Sequence, residues 1–336
     1  MAICPVCGSS AATPGGRFTA NASEAAQHFV LVEADGLRHA ALAAHISSLW
    51  DAPQCEMMEC QDCGLGFAHP FVAGDGEFYN LAYPHSDYPR DKWEFSLTAK
   101  ALTQLITKDK RGLEIGSGFG YFLKQISPIF FRADHLVAIE YNDVAGQRLA
   151  EGGFTVLNRD VRSDAFAKPE YQFDFIFMFQ VLEHMDELGP LTRRLREITA
   201  SGAHLFIAVP NPARIAFNES TNSLQDMPPN HISLWTKKAF DHFGAQLDCA
   251  VVDYQVEPMA WLKLIKQDLV YSYMRSSQRS GSFANRLRSK PRSALRRVAE
   301  ASFTLATMPS RMRYWFRALK SSETLGGSIW LHLQRR

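Results

Sequence analysis

The chain lacks long apolar runs and is poor in cysteine, and each shortage excludes a class of protein. No window of about 18 residues is both uncharged and apolar, so no membrane-spanning helix is predicted. Residues 1–7 lack the basic start and apolar stretch of a secretory signal, which predicts a cytoplasmic protein. Five of the six cysteines lie before residue 64. Without an export signal, that clustering indicates metal ligation rather than a disulfide framework.

Charge is unevenly distributed, although the net charge is only +1. Residues 263–320 contain fourteen Lys or Arg and two acids, Asp268 and Glu300, so the rest of the chain is acidic. Aromatic side chains interleave with these bases. Such a segment suits an amphipathic helix on an anionic membrane surface, or phosphate-rich ligands such as a lipid-linked saccharide or RNA. The alternative is a helical cap whose aromatic residues are core and whose charges are solvated.

From Gly112 onward, short apolar runs alternate with amphipathic stretches. Strands that alternate with helices predict a doubly wound, mostly parallel, seven-stranded Rossmann-like sheet in an α/β fold. The last two predicted strands are expected to pair, which makes the basic segment between them an insertion. The predicted strands are Leu113–Ile115, Leu136–Ile139, Phe154–Leu157, Phe173–Phe179, His204–Val209, Asp248–Glu257 and Gly326–Arg336; the predicted helices are Tyr121–Ile126, Val144–Glu151, Leu188–Ala200 and Thr236–Leu247.

Three closely spaced glycines, Gly116, Gly118 and Gly120, follow the first predicted strand. Such a turn has no Cβ obstruction, so the backbone can approach a ligand and the next helix offers free N–H groups. The spacing is G-x-G-x-G rather than the dinucleotide fingerprint G-x-G-x-x-G. Glu114 stands before the first glycine, where a carboxylate can accept hydrogen bonds from an ammonium group or from the loop.

Polar residues end the next strands. Glu140 follows the second strand, where an acid binds ribose hydroxyls in nucleotide-binding βαβ units. Asp160 follows the third strand, where a side chain can face an adenine amino group. Gln180 and His184 follow the apolar fourth strand, whose end is expected at the ligand crevice.

This run of motifs resembles the class I S-adenosylmethionine-dependent methyltransferases, through E-x-G-x-G-x-G, Glu140, Asp160 and "FDFIFMFQVLEHM". The resemblance implies S-adenosylmethionine as the cofactor. It implies that the loop glycines hold the methionine part of the cofactor, that Glu140 binds its ribose and that Asp160 lies by its adenine. From their positions, Glu114 and Gln180 are further candidate cofactor-binding residues. A domain that binds another nucleotide, such as a nicotinamide dehydrogenase, is the alternative.

Two C-x-x-C-G turns contain four of the cysteines: Cys4 and Cys7 in the first, Cys60 and Cys63 in the second. Four thiolates suit a closed tetrahedral zinc site with a structural role. The gap between the pairs exceeds the usual zinc-ribbon spacing, so residues 18–50 are expected to be a looped-out addition. Cys55 could replace one ligand, and reduced cysteines without metal are the alternative.

The zinc-ribbon-like start narrows the resemblance to bacterial methyltransferases that act on sugars, surface glycans or related metabolites, a group whose linker is similar to "CGLGFAHP". The domains are expected at residues 1–70 (zinc module), 71–110 (helical linker), 111–262 with 325–336 (methyltransferase), and 263–324 (basic helical insertion). The acceptor is then a glycan or a small molecule.

His231 and His184 are the candidate catalytic bases, because a hydroxyl or carbon nucleophile needs a group that removes its proton. Each could instead cap a helix or hold a loop. Carbon-methylating relatives have a His-Glu-His-like cluster where this chain has Pro229-Asn230-His231, so the departure favours O-methylation. The base-amino motif [Asp/Asn/Ser]-Pro-Pro-aromatic is absent, which disfavours nucleic-acid bases and leaves an anionic membrane surface as the favoured partner of residues 263–320. The rival functions are an RNA methyltransferase and a non-catalytic cofactor-binding protein.

Overall fold

The computed structural model describes residues 2–33, 35–83, 89–169, 171–220, 226–278, 281–288, 290–291, 293–320 and 324–336. None of the helices in these ranges is long and apolar enough to cross a membrane. The strands are β1 (Ala12–Ala20), β2 (Cys55–Cys60), β3 (Gly66–His69), β4 (Gly112–Ile115), β5 (Leu136–Ile139), β6 (Thr155–Leu157), β7 (Phe173–Phe179), β8 (Thr199–Pro210), β9 (Ser233–Leu234), β10 (Cys249–Val256) and β11 (Ser328–Arg335). The α-helices are α1 (Ala22–Phe29), α2 (Gly36–Trp50), α3 (Gly76–Ala82), α4 (Trp93–Leu102), α5 (Tyr121–Ile126), α6 (Asp143–Glu151), α7 (Leu188–Ile198), α8 (Pro212–Ser220), α9 (Lys237–Gln246), α10 (Trp261–Gln278), α11 (Phe283–Arg288) and α12 (Ala294–Lys320).

A seven-stranded sheet forms the centre of the molecule, in the order β10-β11-β8-β7-β4-β5-β6. Five neighbouring strands, from β8 to β6, are parallel, and β11 is antiparallel to both β8 and β10. The chain therefore reverses its winding direction between β4 and β7. Loops that follow the carboxyl ends of these two strands face one crevice, where open α/β sheets bind ligands. The mostly parallel α/β fold and the pairing of the last two strands are confirmed.

Apolar residues cover both faces of this sheet. Alternate residues of a strand point to opposite faces, and Leu113 and Ile139 contribute to one buried cluster whereas Leu136 and Phe177 contribute to another. Burial on both faces explains why these strands are continuous apolar runs rather than alternating ones.

Residues near the amino terminus form a second, four-stranded antiparallel sheet in the order β1-β2-β3-β9. Its last strand comes from far along the chain, because Ser233 and Leu234 pair with Phe67 and Gly66. Helices α1 and α2 pack beside the sheet, and Leu42, Ile46 and Trp50 are buried there. The described residues of 18–50 thus complete β1 and form the helices α1 and α2, which lie between the two C-x-x-C turns in the chain.

Predicted and observed elements differ mainly at their ends. Helix α7 ends at Ile198, and β8 begins at Thr199, whereas the sequence predicted a helix to Ala200 and a strand from His204. Thr199 is β-branched and favours a strand. The predicted cap of α9 is confirmed, because the Thr236 side chain accepts a hydrogen bond from the Ala239 N–H.

The described residues of the basic segment form the helices α10, α11 and α12, between β10 and β11. A buried ion pair between Asp268 and Arg311 joins α10 to α12, and the Trp315 indole donates to the same carboxylate at 2.8 Å. On the inner side, Leu264 and Ala318 pack with Phe217 of α8. Because α8 follows the carboxyl end of β8, this helical unit lies on the same side of the sheet as the ligand crevice.

Candidate functional site

The glycine loop between β4 and α5 adopts a backbone that only glycine accepts readily. Gly116, Gly118 and Gly120 have φ angles of 73°, 52° and 69°, in the left-handed region. A Cβ on Gly116 would lie 2.4 Å from Val181, and a Cβ on Gly120 would lie 2.2 Å from Leu149. Packing and backbone conformation together therefore require glycine at these positions, and the loop stays close to the end of β7.

Glu140 holds this loop against the end of β5. Its Oε2 accepts the Gly118 N–H at 2.6 Å, and its Oε1 accepts the Asn142 N–H at 2.8 Å. The carboxylate is buried, and each oxygen has a second lone pair. The structure thus places Glu140 beside the glycine loop, with acceptor capacity left for hydroxyl donors such as those of a ribose.

Glu114 is buried at the end of β4 with an unsatisfied carboxylate oxygen. It is only 3% exposed, and within the described ranges its Oε2 has no hydrogen-bond partner. Burial raises the pKa of its carboxyl well above the ordinary value. Since a buried polar atom normally has a partner, this oxygen fits a ligand that supplies a donor or a positive charge, such as the ammonium group of S-adenosylmethionine.

Gln180 links three elements at the end of β7. Its φ of 60° turns the chain sharply, and its Nε2 donates to Glu94 Oε1 at 3.1 Å and to Ser328 Oγ at 3.3 Å. Glu94 of α4 is buried, and no sequence motif pointed to it. Its position in an amphipathic helix gave no local signal that it would face the crevice.

Asp160 is engaged by a neighbouring cation. Four donor contacts from the Arg162 main chain and guanidinium, of 2.6–3.0 Å, reach its two carboxylate oxygens. Burial alone would raise the pKa of Asp160, but these bonds lower it. Since a carboxylate has about four acceptor sites, the structure leaves little capacity at Asp160 for an adenine amino group.

The two candidate histidines, 47 positions apart, lie side by side. The ring centroids of His184 and His231 are 4.6 Å apart. His184 Nδ1 lies 2.7 Å from the Asn230 carbonyl oxygen and 2.9 Å from the Tyr79 hydroxyl. Because a carbonyl oxygen only accepts, Nδ1 carries the proton and Nε2 has the lone pair.

Burial makes both rings weak bases. It lowers the pKa of His184 to about 3, with a smaller contribution from His231, and it lowers the pKa of His231 to about 4. Both rings are therefore neutral near pH 7. A general base works best with a pKa near the working pH, so neither histidine is well suited to remove a proton directly. The structure nevertheless brings the two predicted residues together.

Glu183 completes the histidine cluster, although in the sequence it stood out only as part of a motif. It is fully buried, and neither carboxylate oxygen has a hydrogen-bond partner in the described part of the chain. Its Oε1 lies 3.8 Å from His184 Nε2. Burial raises the pKa of its carboxyl to about 8. The sequence signal that could have identified Glu183 was its position directly before the candidate His184.

The four cysteines of the two C-x-x-C turns converge at the amino-terminal sheet. All four sulfurs lie within 4.8 Å of one another, with Cys4 Sγ 3.6 Å from Cys63 Sγ and Cys7 Sγ 3.5 Å from Cys60 Sγ. Zn–S bonds of about 2.3 Å place tetrahedral thiolates about 3.8 Å apart. The donor set therefore fits a tetrahedral zinc ion. Cys55 is instead buried in the separate apolar cluster beside α2, away from the four sulfurs.

Residues 90–254 match the model of a family described as a methyltransferase domain. The match covers the glycine loop, Glu140 and both histidines. Together with the parallel sheet and its crevice, it defines the class of protein: the chain is an S-adenosylmethionine-dependent methyltransferase, with a class I fold. No curated protein matches the chain in sequence.

Solved structures with similar folds include methyltransferases of low sequence identity. A putative sarcosine dimethylglycine methyltransferase from Galdieria sulphuraria is 11% identical, with 77% of this chain and 97% of that chain covered and a TM-score of 0.43. An S-adenosylmethionine-dependent methyltransferase from Mesorhizobium loti is 10% identical, with 74% and 100% covered and a TM-score of 0.45. One from Archaeoglobus fulgidus is 15% identical, with 78% and 100% covered and a TM-score of 0.43. No acceptor follows from likeness at this level.

Proposed function

We propose that this methyltransferase transfers the methyl group of S-adenosylmethionine to a hydroxyl of a sugar, a glycan or a small metabolite. The observation that carries the proposal is the proximity of two sites. Val181 packs on Gly116 of the glycine loop, and His184 follows three residues later in the same turn. An acceptor held beside His184 and His231 would therefore lie next to a cofactor held by the loop.

Electrostatics support a cationic cofactor in this crevice. Burial raises the pKa of both Glu114 and Glu183, and the Lys92 ammonium acts on both carboxyls in the opposite direction. Beside the glycine loop, the buried Glu114 carboxyl is an acidic group that a cationic ligand would stabilise. S-adenosylmethionine supplies a sulfonium and an ammonium; we assign the methionine part to Glu114 and the loop glycines, with Gln180 at its side, and the ribose to Glu140.

The methyl donor needs little covalent assistance, because the sulfonium is already activated and alignment supplies most of the acceleration. The acceptor hydroxyl, in contrast, must lose a proton. We assign its activation to the pocket formed by His184, His231 and Tyr79. Asn230 replaces the acid of the carbon-methylating relatives, and residues 180–183 lack the base-amino motif, so oxygen is the favoured nucleophile.

The amino-terminal cysteines are proposed to hold a structural zinc ion. The four sulfurs would fill a tetrahedral shell and leave no open position for chemistry. Cys4, Cys60 and Cys63 also belong to the apolar cluster that includes Phe240 and Phe243 of α9. A zinc ion there would therefore brace the small sheet against the methyltransferase domain.

The basic helical unit is proposed to dock on an anionic membrane surface. On α12, six apolar side chains at helical spacing are between 45% and 84% exposed, and exposed arginines flank them. An exposed apolar stripe beside cations suits a bilayer interface. With the unit on the crevice side of the sheet, the acceptor would then be carried by the membrane, as a lipid-linked saccharide is. The stripe consists of Leu295, Val298, Leu305, Met312, Phe316 and Leu319.

Labelled-methyl transfer tests the proposed function. The purified full-length chain is incubated with methyl-labelled S-adenosylmethionine and cell extract separated into lipid, glycan, small-molecule and RNA fractions, and the labelled product is identified by mass. We expect a methyl ether in the lipid or glycan fraction. Label confined to RNA, with RNA binding that weakens steeply as salt rises, would replace this proposal with the RNA methyltransferase.

A non-catalytic cofactor-binding protein is the remaining rival. It predicts that the protein binds S-adenosylhomocysteine but transfers no label to any fraction. It also predicts that His184→Ala and His231→Ala change neither cofactor binding nor methyl transfer. Our proposal predicts that these variants keep cofactor binding and lose methyl transfer.

A further inference from the structure

Glu183, His184 and His231 bring one carboxylate and two imidazoles close together in the protein interior. One ligand atom from each residue lies within 4.8 Å of the others, and Glu183 Oε1 is 3.8 Å from His184 Nε2. Ligands at about 2.1 Å from a tetrahedral ion are about 3.4 Å apart. The distances between these ligand atoms are therefore only slightly longer than those around a bound ion. Small side-chain movements on metal binding would close the difference.

Several buried polar atoms of this cluster have no hydrogen-bond partner among the described residues. Glu183 is 0% exposed and both its carboxylate oxygens are without hydrogen-bond partners among the described residues. His231 Nδ1 is likewise without a hydrogen bond there, and Asp226 Oδ1 lies 3.4 Å from it. Leaving a buried donor or acceptor unsatisfied costs about 1–3 kcal/mol, and more for a charged group. A bound cation would satisfy the Glu183 oxygens.

The contacts behind His184 resemble those that support a metal-binding imidazole. Its Nδ1–H donates to the Asn230 carbonyl oxygen at 2.7 Å, with the Tyr79 hydroxyl at 2.9 Å on the same nitrogen. That bond fixes the tautomer and turns the lone pair of Nε2 toward Glu183. Histidine ligands of metal ions nearly always donate their other ring N–H in this way.

We propose that Glu183, His184 and His231 form a second metal site, distinct from the four cysteines, which binds a divalent transition metal ion such as Zn²⁺, Mn²⁺ or Fe²⁺. Two imidazoles and one carboxylate leave coordination positions open, as catalytic rather than structural sites do. This inference deepens the proposed function, on which its catalytic role rests.

The open position would take the acceptor hydroxyl. A cation lowers the pKa of a bound hydroxyl, so the O–H proton passes to water and the oxygen retains the electron pair. That pair forms the new O–CH₃ bond as the S–CH₃ bond breaks, and its electrons return to sulfur, which becomes a neutral thioether. The two histidines then hold the ion and need not themselves accept the proton.

Cobalt binding to the full-length chain tests the site directly, because thiolate ligands give intense sulfur-to-cobalt charge-transfer absorption and nitrogen or oxygen ligands do not. The chain is stripped with a chelator, dialysed and titrated with Co²⁺. We expect two ions per chain, one with the thiolate signature and one without. One ion per chain, with thiolate absorption only, would overturn the proposal.

Matched variants assign the two ions. Glu183→Gln, which preserves shape and burial, and His231→Ala are expected to lose only the ion without thiolate absorption. His332→Gln, at a histidine pair on β8 and β11, and Cys7→Ser are expected to retain it. Melting curves and circular dichroism identify any variant that fails to fold. Retention of both ions by a folded Glu183→Gln and a folded His231→Ala would contradict the assignment.

A second readout separates this inference from the proposed function. S-adenosylhomocysteine binding by calorimetry depends on the glycine loop and Glu140, and we expect Glu183→Gln to change it less than about 3-fold. If the wild-type chain does not bind S-adenosylhomocysteine, the proposed function is refuted, whereas the metal site measured with cobalt is not affected. Methyl transfer at full rate by chelator-treated protein would refute the catalytic role of the ion alone.

Discussion

Glu140 Oε2 accepts the backbone N–H of Gly118 at 2.6 Å, so the carboxylate after β5 and the glycine loop after β4 form one unit. The left-handed backbone of the loop requires glycine, and the Glu140 carboxylate holds that backbone in place. Cofactor affinity is therefore expected to depend on both residues together.

Glu140→Ala should weaken S-adenosylhomocysteine binding by roughly 10–100-fold, because hydrogen bonds to a charged group contribute about 1.5–3 kcal/mol. Isothermal titration calorimetry measures this. Asp143→Ala, three residues further at the start of α6, is the control and should leave affinity within about 2-fold. Gly118→Val should be more severe, since it also strains a backbone with a φ of 52°. Unchanged affinity in both variants would refute the assigned cofactor site.

The sheet and its cofactor loop could be predicted from sequence because their signals are local. The strand Phe173–Phe179 is apolar at nearly every position, and the helix Tyr121–Ile126 follows directly from the glycine turn; both have the predicted bounds. Burial on two faces and a requirement for glycine each impose a pattern on consecutive residues. Such elements are therefore visible without knowledge of the tertiary fold.

The histidine cluster was only partly predictable, because it depends on pairing between distant segments. The Ile232 N–H donates to the Glu183 carbonyl oxygen at 2.9 Å, and the Ile232 carbonyl accepts the Ala68 N–H at 2.8 Å. These bonds bring His231 to His184 and join the small sheet to the large one. No local periodicity encodes them, so the sequence named both histidines and gave no reason to expect them to touch or to include Glu183.

Removal of one cysteine of the cluster tests the proposed structural zinc site. Cys4→Ser should lower the number of zinc ions bound per chain, measured by elemental analysis. If the histidine cluster also binds zinc, one ion should remain; otherwise none should. It should also destabilise the fold by roughly 2–4 kcal/mol, as loss of a structural metal does, and lower the melting temperature by about 5–15 °C. Cys249→Ser, a buried thiol on β10, is the control for substitution itself. Equal zinc content and stability in wild type and Cys4→Ser would exclude the site.

Acidification should destabilise the central sheet through a histidine pair on β8 and β11. His204 Nδ1 lies 2.9 Å from His332 Nε2, and burial, followed by the neighbouring His204, lowers the pKa of His332 from 6.5 to about 4. The unfolded chain then binds more protons between these values, so stability is fully present above pH 6.5 and falls as the pH drops toward 4. One such group contributes at most about 1.4 kcal/mol per pH unit.

Urea unfolding between pH 7.5 and 5 measures this slope. His332→Gln should flatten it, because an amide can keep a hydrogen bond to His204 and does not titrate. His242→Gln on α9 controls for the loss of a histidine elsewhere. An identical slope in wild type and His332→Gln would show that other groups govern the acid sensitivity.

The exposed stripe on α12 predicts binding to anionic vesicles. The helix is about 40 Å long, and burial of its apolar side chains in the headgroup region adds to an attraction of about 1 kcal/mol for each Lys or Arg near the surface. Sedimentation with vesicles of phosphatidylserine and phosphatidylcholine should carry the protein down at low salt and less at high salt. Vesicles of phosphatidylcholine alone should bind much less.

Leu305→Glu with Phe316→Glu should abolish this binding, because the double variant places two acids on the apolar stripe and repels the anionic surface. Leu37→Glu with Ile106→Glu adds the same charge at two apolar side chains that are 88% and 82% exposed on other parts of the molecule, and it should bind as wild type does. If the two double variants sediment alike, the basic unit does not dock through α12. Equal loss in both would show that net charge alone attracts the chain to the vesicle, and that the stripe contributes nothing of its own.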